Sequence, residues 1–215
     1  NAVTPPAAAT VTNHAVLNAV GDRAWLDVNA NGLQEGGENG VSGVTVRIYS
    51  AASNLLATTT TGAGGSYSFT NLPSGAYFLE FEAAGYYLSP LDQGGDDTVD
   101  SDVNALGRTA SFSLSGGTND TTRDAGCYQP AALGDFIWED LNGNGQQDGG
   151  EPGLANTVVT LYNAASNLIG TTTSSVAGAY AFTNLVPGAY FVSFAPPAGY
   201  LFTTSNAGAD ATDSD

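Results

Sequence analysis

The sequence has no lysine and no methionine, one cysteine, one histidine and only four basic residues in 215 positions. A lone cysteine, Cys127, rules out an intramolecular disulfide. A buried, small apolar role is expected of it, with a link to another chain as the open alternative. The basic residues, Arg23, Arg47, Arg108 and Arg123, stand against 21 acids, for a net charge of −17. Such an excess disfavours nucleic acid or an anionic membrane as a partner, since both require basic surface. No apolar run approaches the roughly 18 residues of a membrane span, and no charged-then-apolar signal peptide opens the sequence. A first residue other than Met is expected of a processed or cut N-terminus. Catalysis has little to work with: His14 stands far from Cys127, and there is no G-x-S-x-G, P-loop or transition-metal ligand cluster. An enzyme is not expected.

Acid, amide and glycine are present in a pattern that occurs twice. The first copy is Asp27-Val-Asn29-Ala-Asn31-Gly32-Leu33-Gln-Glu35-Gly-Gly-Glu38, and the second is Asp140-Leu-Asn142-Gly-Asn144-Gly145-Gln146-Gln-Asp148-Gly-Gly-Glu151. Both fit D-x-[DN]-x-[DN]-G-x5-E, which sets oxygen donors at positions 1, 3, 5 and 12 of a calcium loop. Position 6 is glycine because the chain turns sharply there, bringing early and late ligands onto one ion. Position 7 contributes its backbone carbonyl, so Leu33 and Gln146 both suit it. Position 9 carries a further carboxylate in each copy, Glu35 and Asp148. A simple Asn/Asp/Gly turn would explain the first six residues but not the acids at positions 9 and 12. The flanks, Arg23-Ala-Trp25-Leu before and Val44-Thr-Val-Arg-Ile-Tyr49 after, are β-branched and aromatic with period-2 character. The loops are therefore EF-hand-like without EF-hand helices.

The repeat extends well beyond the loops. Gly21 answers Gly134, Ser53-Asn-Leu-Leu-Ala-Thr-Thr-Thr answers Ser166-Asn-Leu-Ile-Gly-Thr-Thr-Thr, and Gly65-Ser-Tyr-Ser-Phe answers Gly178-Ala-Tyr-Ala-Phe. A period this long indicates tandem domains rather than a solenoid. In the first copy strands are expected near residues 22–26, 44–50, 54–60, 66–70, 76–82, 109–114 and 122–128, with Tyr67, Phe69, Tyr77, Leu79 and Phe81 on one face. Short strands at this spacing, without a helical period, predict an all-β fold of tandem immunoglobulin-like or prealbumin-like β-sandwich modules. Trp25 and Trp138 are expected in the cores. The expected organisation is an N-terminal extension over residues 1–20, a first calcium-binding sandwich over 21–130 and a second, C-terminally incomplete one over 131–215.

The pattern Gly-Asp-x-x-Trp-x-Asp-x-Asn-x-Asn-Gly-x-Gln, followed by Gly-Val-x-x-Val-x-Val, Gly-x-Tyr-x-Phe-x-Asn-Leu, Gly-x-Tyr and Ala-Gly-Tyr, resembles the serine-aspartate repeat protein B-type module over about residues 20–215. That resemblance implies calcium-binding β-sandwiches of the collagen-adhesin B-type class, arrayed as stalks on bacterial surface proteins. It also implies further calcium ligands from the opening Gly-Asp, here Asp22 and Asp135, and from an Asp-Ser-Asp loop, here Asp100 with Asp102 and Asp213 with Asp215. Asp96, Asp97 and Asp210 lie just upstream of those loops. Independently, carboxylates two apart on an extended chain point the same way and can share an ion. The Lys-to-Asn or Lys-to-Asp isopeptide staple of many related modules and pilins is excluded here, because there is no lysine.

Asp215 is the counterpart of Asp102, so the second copy lacks counterparts of residues 103–133. Residues 1–20 in turn stand where 114–133 stand before the second module. One expectation is strand donation, with residues 1–20 of one subunit completing the second module of its neighbour to build a head-to-tail filament. The other is a piece of a longer tandem array. The functional expectation is thus an extracellular, calcium-stabilised structural module, with calcium ions and copies of itself as partners. A surface adhesin that binds a protein or glycan through its acidic loops or through Tyr86 and Tyr87 is the alternative.

Overall fold

The computed structural model describes residues 16–209 and 211–215. They form fifteen β-strands and no helix. The chain divides into two compact units. One holds Asn31–Cys127 with the preceding segment up to Asp27, and the other holds Tyr128–Asp215 with Val28–Ala30.

The first unit is a β-sandwich. One layer is a four-stranded sheet ordered β4-β3-β6-β8, from β3 (Thr45–Ser50), β4 (Leu55–Thr60), β6 (Gly75–Glu82) and β8 (Phe112–Leu114). Opposite it lie two three-stranded sheets. The first, β5-β1-β9, uses β1 (Asn18–Val20), β5 (Phe69–Leu72) and β9 (Asn119–Asp120). The second, β2-β10-β7, uses β2 (Ala24–Leu26), β7 (Tyr87–Leu88) and β10 (Ala125–Tyr128). Alternation sets the inward faces: Val46 and Ile48 of β3, and Tyr77, Leu79 and Phe81 of β6, turn into one cluster with Val20, Tyr67, Phe69, Leu114, Ala125 and Cys127. Their alternate neighbours Arg47, Tyr49, Phe78 and Glu80 take the outer face, where Tyr49 stacks on Phe78 at 5.0 Å and Arg47 and Arg108 pair with Glu80. Trp25 is fully buried.

The late strands close this unit. β9 runs parallel to β1, pairing Asn119 with Ala19, and β10 runs parallel to β2, pairing Gly126 with Trp25. Small side chains make this approach possible, since a Cβ on Gly126 would stand 3.0 Å from the Trp25 ring. Cys127 is completely buried, so it fills core and does not offer its thiol for a link to another chain.

Residues 18–20 of the expected N-terminal extension are described. Asn18–Val20 form β1 of the first unit, paired antiparallel with β5. Residues 1–15 of the expected donor, including His14, lie outside the described residues.

The second unit repeats the pattern with fewer strands. β11 (Ala131–Phe136) pairs with β14 (Ala179–Leu185), and β12 (Val158–Asn163) lies between β13 (Leu168–Thr173) and β15 (Tyr190–Ala195). Val159 and Leu161 are fully buried and Leu185 nearly so. Tyr162 stacks on Phe191 as Tyr49 does on Phe78. No strand among its described residues takes the places of β8, β9 and β10. A cleft of about 730 Å³ in this unit is lined by Phe136, Trp138, Tyr180, Val192, Phe194 and Leu201 among others.

Candidate metal centres

Each calcium-type loop begins as its leading strand ends and folds around its first aspartate. Asp27 follows β2 directly and is fully buried. Its Oδ1 accepts the Asn31 N–H at 3.2 Å and its Oδ2 the Gly32 N–H at 2.8 Å. The Asn31 side-chain oxygen then accepts the Leu33 N–H at 2.7 Å, and Glu38 reaches back to accept the Glu35 N–H at 2.9 Å. Gly32 has φ of 81°, and a Cβ there would lie 2.4 Å from the Pro90 carbonyl oxygen. Position 6 therefore needs glycine both for its left-handed backbone and for space. Asn29 is exposed.

The second loop repeats this geometry. Asp140 accepts N–H groups from Gly143, Asn144 and Gly145, at 2.6, 3.2 and 2.7 Å, and the Thr203 hydroxyl donates to its Oδ2 at 2.6 Å. That hydroxyl, with the amides behind it, holds the Asp140 carboxyl below its ordinary pKa. The side chains of Asn142 and Asn144 converge on Asp148 Oδ2 at 2.8 and 2.9 Å. Glu151 accepts the N–H groups of Leu141 and Asp148, both at 2.9 Å. Four of the five expected side-chain donors, Asn142, Asn144, Asp148 and Glu151, are thus tied into one ring of contacts around the turn that Asp140 nucleates.

The structure also joins what the sequence left apart. Position 7 of each loop forms an antiparallel bridge with the first aspartate of the Asp-Ser-Asp segment, Leu33 with Asp100 and Gln146 with Asp213. Flanking bonds repeat as well: Gln34 N–H to Val99 O and Ser101 N–H to Gly32 O in one unit, Gln147 N–H to Thr212 O and Ser214 N–H to Gly145 O in the other. Asp100 and Asp213 are buried, and in each Oδ1 has no hydrogen-bond partner. A buried carboxylate oxygen without a donor is costly, and it recurs at the same register beside each loop. An all-oxygen donor set with orphaned buried carboxylate oxygens fits a hard divalent cation.

A denser acidic group lies at the other end of the Asp-Ser-Asp segment. Asp92, Asp97 and Asp102 each offer a carboxylate oxygen within 4.8 Å of the others, a group that could hold a metal ion. Arg123 already serves part of it, with Nη1 2.7 Å from Asp102 and Nη2 3.4 Å from Asp97. Burial pushes the Asp102 carboxyl up to about 7, against the opposing pull of the Asp124 amide and Arg123. Burial, followed by the charges of Asp97, Asp92 and Asp96, raises Asp100. Asp22 is raised by burial and lies against the Asp124 carboxylate. Its counterpart Asp135 is exposed, as is Asp215, while Asp210 lies outside the described residues.

Sequence reasoning missed Asp92, Thr203 and Asp124. Asp92 and Thr203 sit in irregular segments with no spacing signal, and Asp124 lies in what reads as a strand. The expected exposed aromatic pair is only half present. Tyr87 is exposed, but Tyr86 packs against the core.

The model of the SdrD B-like domain matches residues 18–127 and again 131–215. The serine-aspartate repeat-containing protein F of Staphylococcus epidermidis is 40% identical over 195 residues, covering 90% of this chain and 11% of that protein. The serine-aspartate repeat-containing protein D of Staphylococcus aureus (strain Newman) is 39% identical over 194 residues, 89% of this chain and 14% of that protein. The chain therefore spans only 11 to 14% of the length of these relatives. A streptococcal ancillary pilin superposes over 90% of this chain and 58% of its own with a TM-score of 0.38 at 15% identity, too loosely to bear on function. With two matches that together cover most of its length, the chain belongs to the SdrD B-like domain family, a family of non-enzymatic cell-surface modules.

Proposed function

We propose that the two units are calcium-stabilised β-sandwich modules that serve as a stiff segment of a cell-surface protein. The observation that carries this reading is the repeated clamp, in which each D-x-N-x-N-G loop is bridged at position 7 to an aspartate whose buried oxygen lacks a donor. Asp27, Asn29, Asn31, the Leu33 carbonyl, Glu35 and Glu38 would hold one ion, with Asp100 alongside. Asp140, Asn142, Asn144, the Gln146 carbonyl, Asp148 and Glu151 would hold another, with Asp213 alongside. Asp22, Asp97, Asp102, Asp135, Asp210 and Asp215 complete the proposed acidic sites. When bound, the ion supplies charge neutralisation and a cross-link between chain segments that the backbone alone joins by single bridges. An ion that binds only the folded state contributes RT ln(1 + [L]/Kd), roughly 3 kcal/mol at a hundredfold excess.

The unpaired strand edges in the second unit favour a second reading, head-to-tail assembly by strand addition. The cleft beside Phe136, Trp138 and Phe194 is lined by the counterparts of β2 and β7, the two strands that flank β10 in the first unit, and an extended segment from another copy, residues 1–17, would fill it. Electron microscopy in millimolar calcium and in EGTA, with a variant lacking residues 1–17 alongside, tests both readings. Filaments that require residues 1–17 support strand addition, and monodisperse particles indifferent to the deletion remove it. Calcium-independent protease resistance removes the stabilisation reading. Retention of a matrix protein or glycan in a pull-down by the same material would favour the adhesin alternative.

A further inference from the structure

We infer that the free edge of β13 is a self-docking surface, at which β13 pairs antiparallel with β13 of a second copy of this chain across a two-fold axis. The contact needs neither bound calcium nor head-to-tail addition. β13 forms one edge of its sheet, with β12 between it and β15, and pairs with β12 alone among the described residues. Ser174 N–H donates to the Thr157 carbonyl at 3.0 Å, and the ladder continues as Val158 with Thr173, Val159 with Thr172 and Thr160 with Thr171. Antiparallel alternation therefore turns the N–H and C=O of Thr171 and Thr173 away from β12. Leu168 and Ile169 are 64% and 47% exposed. Edge strands are ordinarily blunted by lysine, other charges or proline, and Leu168-Ile-Gly-Thr-Thr-Thr173 carries none of them.

Charge is missing around this edge, in a chain whose net charge is −17. No acidic or basic residue occurs between Glu151 and Asp210. The first unit supplies the contrast. Its equivalent sheet carries the row Thr58, Arg47, Glu80 across its outer face, with Glu82 one row away, and Arg47 and Arg108 pair with those acids. At the same register the second unit has Thr171, Thr160 and Ser193, with Ala195 in place of Glu82. Two acidic molecules approach at least cost where neither is charged. A second copy presents the same neutral edge, so the contact is self-complementary: Thr171 faces its own symmetry mate and Thr173 faces Ile169. A six-residue ladder is small beside a standard interface. The free chain therefore dimerises weakly, and the contact gains strength where many copies stand side by side.

The experiment is sedimentation equilibrium of the 215-residue chain in millimolar calcium, up to about 1 mM chain. The parent is expected to show a reversible monomer–dimer equilibrium that tightens as salt screens the net charge. A chain lacking residues 1–17 should dimerise as the parent does. Thr171→Pro deletes one outward N–H, and at an edge position proline leaves the ladder to β12 in place. It should weaken dimerisation by about tenfold or more while the melting temperature of the monomer changes little. Should Thr171→Pro fail to fold, Thr171→Lys, which sets like charges face to face across the axis, must show the same loss. A chain that stays monomeric throughout overturns the proposal and leaves the edge to a peptide of another protein. A dimer that survives both β13 substitutions overturns it as well. Association lost only with residues 1–17 belongs to head-to-tail addition and removes the β13 contact.

Discussion

At the residue scale, the loops depend on a few positions whose requirements are physical. Gly32 and Gly145 have φ of 81° and 76°, and a Cβ on either would meet a carbonyl oxygen, of Pro90 at 2.4 Å or of Thr204 at 2.2 Å. Gly32→Ala is expected to cost more than the ~1 kcal/mol of left-handed strain alone, read as a lowered denaturation midpoint together with weakened calcium binding. Cys127 makes a second residue-scale prediction. Burial pushes its thiol up to about 12, so it should resist thiol reagents at neutral pH until the first unit unfolds. Prompt labelling of the folded chain would contradict its place in the core. The carboxyls predict a pH dependence. Asp102 is raised to about 7 and Asp124 is also raised, each chiefly by burial. The folded state therefore holds these protons more tightly than the unfolded chain, whose carboxyls titrate near their ordinary value of about 3.9. Their contribution is fully present below that value and is lost as pH rises through about 7. In EGTA the chain should melt higher at pH 5 than at pH 8, and calcium should remove most of that difference.

At the element scale, the account turns on how separate segments meet. The sandwich strands β3 and β6 were legible because they alternate over six and eight residues and carry β-branched and aromatic side chains, and β4 through its run of β-branched threonines. β1, β7 and β9 were not, since two or three residues are too short to show a period. Their places come from tertiary pairing, with β9 parallel to β1 and β10 parallel to β2. The loop ligands were legible through spacing. The bridge from Leu33 to Asp100 was not, because 67 residues separate partners that only the folded sheet order brings together. The repeat itself could have suggested it, for the same two segments recur at the same separation in the second copy. Asp27→Ala with Glu38→Ala should lower the melting temperature in calcium and change little in chelator. Asp100→Asn should do the same to a smaller degree, as it removes charge but keeps an oxygen donor beside Leu33. Equal losses in calcium and chelator would mean that these side chains serve the turn and not an ion.

At the scale of the whole molecule, a net charge of −17 with no lysine leaves few internal means of neutralisation. All four arginines lie in the first unit, three of them in ion pairs with Glu80, Glu82, Asp97, Asp102 and Asp120. Many of the remaining acids crowd into loops, where self-repulsion opposes compaction unless cations are bound. The proposed calcium sites would make the module stiff where calcium is abundant and soft where it is not, a property suited to the outside of a cell. The measurement that tests this most directly is thermal unfolding of the 215-residue chain in millimolar calcium and in EGTA, beside a chain with both loops disabled by Asp27→Ala and Asp140→Ala. The account predicts a large upward shift with calcium in the parent and little in the doubly altered chain. Equal melting of the parent in calcium and in EGTA would contradict it.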